Sequence, residues 1–365
     1  MKLRFAILAL IGLAFAAAGL ASALGSPKGR QAALGCDLAS GSDCVLAPPP
    51  DGRVYHAAFP DFGGPEDRVE SGRIREFERL AGRPIAWAYF SDNWFHGRIN
   101  FPRRDVGAIL DADRLPFIRL MARSDFGRGA DPNFSMHSIA DGEWDAELED
   151  WCEGAAAVDS PLLAEFGTEV NGDWFPWNGR WNRPDGPRAF KDAYRRIVDT
   201  CRASGADNIT WFFHADVGSS PRADWNEPWD YYPGDDYVDW IGLSDYGPLK
   251  PGESWRSFHA RMDNVIYRLL DEIGSDKPLA VLEYGATETR REPRAKSRWI
   301  TNAIGRVAAG HWPEIRGLSY WHEGWENGDG SFSNLHIDSS RRSLRAYRRA
   351  VAGDAFASRP RFGSR

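Results

Sequence analysis

The chain is 365 residues long, 13% aromatic with 16 tryptophans, and carries a formal net charge of −7. That length suffices for a full hydrophobic core, as one large domain or two small ones, and a modest acidic charge without a long basic run argues against nucleic acid as a partner. Most of so many tryptophans belong to a core, but those clustered after strand-like segments are candidate binding platforms.

Lys2 and Arg4 precede an apolar stretch from Phe5 to about Leu20, and Ala21-Ser22-Ala23 fits a small-x-small cleavage site. Residues 1–23 therefore read as an export signal. The alternative is an uncleaved anchor, since the stretch is nearly long enough to span a bilayer. The small residues favour cleavage, which leaves a secreted or periplasmic product without a stable membrane span. Ala33-Leu-Gly-Cys36 is a weaker match to a lipoprotein acylation site, far beyond the apolar segment. Residues 24–52 are rich in Gly, Ser, Ala and Pro and end in Pro48-Pro49-Pro50, which marks a linker. Export makes the four cysteines legible as disulfides. The favoured pairing is Cys36 with Cys44, closing a small loop, and Cys152 with Cys201, cross-linking neighbouring predicted helices. No His accompanies either pair at metal-ligand spacing.

From residue 53 a repeating pattern begins. Residues 53–59 are strand-like, and 66–80 helix-like, ending at Gly82. The second strand is 84–90, followed by an aromatic loop with Trp94 and Phe95, and a helix starts near Arg103. The third strand is 115–121, and its loop carries Arg123, Asp125 and His137. A helix over 142–157 takes Asp141 as its N-cap. The apolar run from Pro161 is the fourth strand, too short for a helix. Residues 187–203 form a helix with proline in its first turn. The fifth and sixth strands are 209–213 and 238–243, and the long connection between them holds Trp225, Trp229, Tyr231 and Tyr232. A helix over 255–273 ends at Gly274, 278–282 is the seventh strand, and after another helix 317–321 is the eighth. A last helix, from 339 to about 351, precedes a polar, Arg-rich tail, 353–365. Eight strands alternating with eight helical segments, the last closing the ring, predict a (β/α)8 barrel over 53–352. Chemistry on such a barrel sits at the C-terminal ends of the strands.

The run from Pro161 stops being apolar at Glu169, Asn171 and Asp173, followed by Trp174, Phe175 and Trp177. Sugars present apolar CH faces that stack on indoles and hydroxyls that need polar partners. A carboxyl shielded by aromatics also holds its proton near neutral pH, as a general acid must. A salt-bridged glutamate among core tryptophans is the alternative for this motif alone. Glu283 ends the predicted seventh strand, so on a barrel both glutamates face one mouth. There one carboxyl can protonate the leaving glycosidic oxygen while its ionised partner attacks the anomeric carbon. His322 and Glu323, after the eighth strand, either line the sugar site or belong to a solvated loop. Asp125 and His137 are candidates to reach the same mouth. Asp235, Asp236 and Asp239 do not match a calcium loop and read as turn and capping residues. No metal or cofactor is expected, and no nucleophilic Ser elbow or Gly-rich phosphate loop stands out.

Three stretches carry a resemblance to glycoside hydrolase family 26, the β-mannanases and some related β-glycanases. Glu169-Val-Asn-Gly-Asp-Trp-Phe-Pro-Trp177 is similar to the acid/base motif, Tyr232-Pro-Gly-Asp-Asp-Tyr-Val-Asp-Trp-Ile-Gly242 to the strand-six segment, and Lys277-Pro-Leu-Ala-Val-Leu-Glu283-Tyr-Gly285 to the nucleophile strand. The resemblance implies a retaining hydrolase of a β-linked polysaccharide, β-mannan or a related β-glycan. Glu169 is implied as acid/base and Glu283 as nucleophile, with Tyr246 hydrogen-bonding the nucleophile. Trp174 and Trp321 match aromatic positions around the sugar at the cleaved bond. Asn171, Trp177 and His322 complete the expected substrate contacts, and the protein is expected to be a monomer without a cofactor. The sequence departs from the family where Thr168 replaces a His just before the acid/base and Glu165 replaces an Arg four positions before it. These departures keep a rival open, a non-catalytic glycan-binding protein on the same scaffold.

Overall fold

A computed structural model describes residues 44–289 and 291–363. The expected export signal and Cys36, hence the Cys36–Cys44 pairing, fall outside the described residues. Eight parallel strands form the barrel: β1 (Val54–Phe59), β2 (Trp87–Asn93), β3 (Leu115–Met121), β4 (Leu162–Phe166), β5 (Ile209–Asp216), β6 (Trp240–Ser244), β7 (Leu279–Tyr284) and β8 (Ile315–Trp321). Each pairs with the next, and β8 returns to β1 with Tyr55 opposite Gly317 and Phe59 opposite Trp321. The strands are buried almost throughout, because a parallel sheet covered on both faces needs apolar runs rather than alternation.

Among the described residues eight helices accompany the strands: α1 (Ser71–Ala81), α2 (Arg103–Asp111), α3 (Met136–Ala140), α4 (Asp145–Ala156), α5 (Gly186–Ala203), α6 (Phe258–Ile273), α7 (Ala295–Ala308) and α8 (Arg341–Val351). Gly82 and Gly274 end α1 and α6 in the left-handed conformation, φ 72° and 63°, which costs glycine no Cβ clash. The expected disulfide Cys152–Cys201 joins α4 to α5 with its Cα atoms 4.8 Å apart. It closes a 49-residue separation around β4 and the Glu169 loop, which on loop-closure entropy stabilises the fold by about 4 kcal/mol.

The structure corrects four sequence expectations. The connection after β5 holds no α-helix, only a 3-10 turn, Pro228–Tyr231. Side chains fix it instead: Tyr231 donates to Asn226 Oδ1 at 2.5 Å and accepts from the Gly179 N–H at 3.1 Å. Asp141 does not start α4; it ends the short helix α3, which Ser135 and Ser138 open with a reciprocal capping box. The tail after residue 353 is not merely polar. Phe356–Ala357 adds to the barrel beside β1, and Arg361–Gly363 pairs antiparallel with Val45–Ala47. The end of the linker is likewise structured. Leu46 is buried under the barrel, its N–H donating to Thr210 Oγ1 at 2.8 Å and its carbonyl accepting from Trp240 Nε1 at 2.7 Å.

Candidate active site

At the C-terminal ends of the strands lies a cleft of about 880 Å³, with Glu169, Glu283, Trp174, Tyr246 and Trp321 in its walls. The chain reaches Glu169 through a sharp turn after β4, with Gly167 at φ 72° and Glu169 itself at φ 49°. A non-glycine residue in that region is strained by about 1 kcal/mol or more, and such strain recurs where a side chain must be aimed. Glu169 is 7% exposed, and Trp174 Nε1 donates to its Oε2 at 2.7 Å. Burial, and then the negative charge of Asp216, push its carboxyl above the ordinary range. Asp216, at the end of β5, is itself pushed up to about 6 by burial.

Glu283, on β7, is held differently. Tyr246 donates to its Oε2 at 2.7 Å. The Arg119 guanidinium lies 3.2 Å from Oε1, off the hydrogen-bonding direction, so that among the described residues Oε1 has no hydrogen-bond donor. Burial raises the Glu283 carboxyl to about 7 against the downward pull of Arg119.

Arg119 is the principal site residue that sequence reasoning missed. It comes from β3, where the strand pairing sets it beside Glu165 of β4. Its guanidinium lies 3.7 Å from Glu165, 3.2 Å from Glu66 and 3.2 Å from Glu283, and over the Trp321 ring at 4.9 Å. Glu165 also meets His214 of β5, with Nδ1 2.8 Å from Oε2, and Tyr89 of β2, which donates to Oε1 at 2.5 Å. Thr168 donates to Glu165 as well. Burial works against ionising Glu165, but His214 and Arg119 outweigh it and hold the carboxyl below its usual value. Burial opposes a charge on His214 too, yet Glu165 raises its pKa overall. Where the family pattern has Arg and His, this chain has Glu165 on β4 and Thr168 in the turn after it, and the cation and the imidazole come from the two adjoining strands. The only sequence signal for Arg119 was a charge inside an apolar strand. Glu165, His214 and Glu283 bring ligand atoms within 4.8 Å of one another, and the Arg119 guanidinium supplies the positive charge there.

Three expected sugar contacts lie behind the cleft wall. Asn171 is fully buried; its Nδ2 donates to the Asp216 carbonyl at 2.9 Å and its Oδ1 accepts from the Asp216 N–H at 2.8 Å. It therefore ties the β4 loop to β5. Trp177 is buried, donates to the Thr168 carbonyl at 2.7 Å and stacks on Phe175 at 4.5 Å. His322 turns away from the mouth, its Nδ1 accepting from the Ile337 N–H at 3.0 Å, and burial keeps it neutral. These groups have spent their polar atoms on the backbone, so they shape the wall instead of touching its contents. Glu323 does reach the cleft, accepting from Trp321 Nε1 at 2.9 Å, and burial together with Glu66 raises its carboxyl to about 8. Asp125 is exposed and His137 sits 3.3 Å from the Asn182 carbonyl; neither lines the cleft. Asp235 accepts from Tyr232 and Asp239 from the Trp211 N–H, as turn and capping residues do. Trp325, in an unforeseen hairpin of Gly324–Glu326 with Phe332–Asn334, adds another aromatic to the wall.

The family model described as Glycosyl hydrolase family 26 matches residues 137–272, a span that includes Glu169, the β5 and β6 strands and Tyr246. Over that span the chain is similar to glycosyl hydrolase family 26. Among its relatives, Endoglucanase H of Acetivibrio thermocellus is 29% identical over 287 residues, covering 76% of this chain and 29% of that protein. A beta-1,3-xylanase of an Alcaligenes species is 31% identical over 120 residues, 33% of this chain and 24% of its own. The chain thus spans less than a third of the length of these two relatives. In fold it is similar to a Cellulomonas fimi endo-beta-1,4-mannanase double mutant, with a TM-score of 0.59 at 17% identity over 84% of this chain and 72% of that one. It is similar also to a beta-mannanase from a symbiotic protist of the termite Reticulitermes speratus, with a TM-score of 0.56 at 15% identity over 88% and 91% of the two chains.

Proposed function

We propose that this protein is an exported hydrolase that cleaves a β-linked polysaccharide, β-mannan or a related β-glycan, with retention of configuration. The observation that carries the reading is the unlike treatment of two buried glutamates on one cleft. Glu283 is anchored through Oε2 by Tyr246 and faced by a guanidinium, and Oε1, with no hydrogen-bond donor among the described residues, keeps its lone pair free to attack. Glu169 accepts the Trp174 indole N–H and has a raised pKa, as a proton donor needs. In the first step Glu169 gives its proton to the glycosidic oxygen as that bond breaks, and Glu283 Oε1 bonds the anomeric carbon. In the second, the Glu169 carboxylate takes a proton from water, the water oxygen bonds the same carbon, and Glu283 leaves as a carboxylate. Trp174 and Trp321 give the sugar ring apolar faces. The chain's relatives, an endoglucanase, β-1,3-xylanases and mannan endo-1,4-β-mannosidases, support a β-glycan without choosing among them.

The glycan-binding rival drew on Thr168 and Glu165. With Arg119 and His214 beside them, the reacting carboxylates keep basic partners, which favours hydrolysis. The experiment is a product assay on mannan, mixed-linkage β-glucan, β-1,3-xylan and bacterial exopolysaccharide, with Glu169→Gln as control and the first-formed anomer read by NMR. Oligosaccharides of retained configuration, reduced roughly 10²–10⁴-fold in the control, are expected from one substrate. Inverted product rejects the covalent route, and silence with measurable binding transfers the assignment to the glycan-binding rival.

A further inference from the structure

Away from the cleft, one convergence of ligating side chains is unused by the function proposed above. His259 and Asp263 stand one turn apart on α6, so they share a face of the helix. His311 arrives from the turn between α7 and β8. Nε2 of His259 is 3.0 Å from Asp263 Oδ2, and Nε2 of His311 is 3.3 Å from Oδ1. The two imidazole rings are 5.0 Å apart, and one ligand atom from each residue falls within 4.8 Å of the others.

These separations suit a small tetrahedral ion. Zinc bonds of about 2.0–2.2 Å place neighbouring ligand atoms roughly 3.4 Å apart, and each imidazole nitrogen lies near that distance from one Asp263 oxygen, His259 from Oδ2 and His311 from Oδ1, so a small shift brings both nitrogens and one oxygen around a single ion. Two imidazole nitrogens and one carboxylate oxygen match zinc-class chemistry, whereas calcium and magnesium prefer oxygen throughout. Trp312 Nε1 donates to Asp263 Oδ1 at 2.9 Å, an outer hydrogen bond of the kind that orients a ligating carboxylate. Trp312 itself is buried against Phe258, so the orienting group is rigid. The three ligands remain about a third or more exposed, with side-chain exposures of 33%, 37% and 40%, which leaves a path for the ion and room for a water as fourth ligand. A plain hydrogen-bonded His–Asp–His cluster would use the same atoms, and the two readings part on whether metal binds.

We propose that His259, Asp263 and His311 form a surface site for a divalent ion of the zinc class that ties α6 to the turn leading into β8. The ion would stabilise α6 from outside, two residues from Arg261, whose own side chain reaches Asp245 at 2.5 Å and the Tyr246 carbonyl at 3.0 Å. The sequence carries no local sign of this cluster, because His311 is 48 residues from Asp263 and only folding joins them.

The test is calorimetry of metal-stripped, full-length protein with zinc chloride alone, alongside thermal melts and the visible spectrum with cobalt(II). Saturable one-to-one binding is expected, with a raised Tm, intense tetrahedral cobalt bands and unchanged glycan hydrolysis. His259→Ala and His311→Ala should each weaken binding by roughly tenfold or more, a loss that even outer-shell changes can cause, while the metal-free Tm stays near that of the parent. No saturable binding below the millimolar range overturns the proposal, and so does binding that survives both substitutions. Neither result bears on Glu169 and Glu283.

Discussion

The two ends of the barrel bury polar groups under opposite conditions. At the foot, the Leu46 backbone meets Thr210 Oγ1 and Trp240 Nε1, and Tyr55 donates to the Ala47 carbonyl at 2.9 Å. These neutral donors find neutral acceptors, and the two-stranded ribbon of Val45–Ala47 and Arg361–Gly363 lies beside them. At the mouth, Glu165, Glu169, Glu283, Asp216 and Arg119 are all buried, Glu169 sits at a positive φ, and among the described residues Glu283 Oε1 has no hydrogen-bond donor. Burying charge is far costlier than burying a paired amide, even when the charges meet. The foot therefore contributes stability, whereas the mouth consumes it to hold buried charges in place.

That contrast can be broken by substitutions that separate activity from stability. The largest effect is expected from Glu283→Ala, which should lower turnover on the order of 10⁴-fold or more, as loss of a covalent participant does, while the melting temperature stays equal or rises. A fall in both would mean that Glu283 holds the fold rather than reacting. Next comes Arg119→Met. In the proposed mechanism Glu283 is ionised when it attacks, and its carboxyl is already up at about 7, so activity should decline as pH falls through neutrality. Removing the cation that pulls this carboxyl down raises it further, so the acidic limb should move to higher pH and kcat should fall roughly 10²–10³-fold, the scale of losing one electrostatic partner. Arg119→Lys should restore much of the limb's position; a limb indifferent to both would reject the electrostatic role.

Smaller effects should appear in stability alone. Replacing Cys152 and Cys201 together with Ser should cost about 2–4 kcal/mol in denaturant unfolding and leave kcat near the parent value. Leu46→Ala at the foot should cost about 2–3 kcal/mol, as for a well-buried leucine, again with kcat unchanged at 25 °C. If Leu46→Ala altered the pH profile of hydrolysis, the two ends would be coupled and the contrast would fail.

The barrel was legible because its strands are short apolar runs bounded by Gly and Pro, a local signal that survives without knowing any partner. The β3 bounds, 115–121, coincide with Leu115–Met121. The helix that stops at Gly274 and the pairing of Cys152 with Cys201 also follow from local cues and from spacing. So does the appearance of Glu169 and Glu283 at the ends of β4 and β7, since a carboxylate after an apolar run must lie at the rim of a barrel. The failures came where side-chain bonding overrides propensity. The aromatic connection after β5 has no helix because Tyr231 and Asn226 satisfy it, and the tail joins the sheet because Phe356 and Phe362 have a core to enter.

By itself, then, the sequence determined the fold class, the strand order and the two carboxylates, because each is written in periodicity or in position along one strand. Only the tertiary structure decided what those carboxylates face. Arg119 lies beside Glu165 through inter-strand register, and His214 reaches Glu165 from the strand on the other side. Asn171, Trp177 and His322 were drawn behind the wall by backbone groups that needed hydrogen bonds once buried. Those are contacts between distant segments, and their direction depends on which face of the pleat each residue occupies, which no local pattern records.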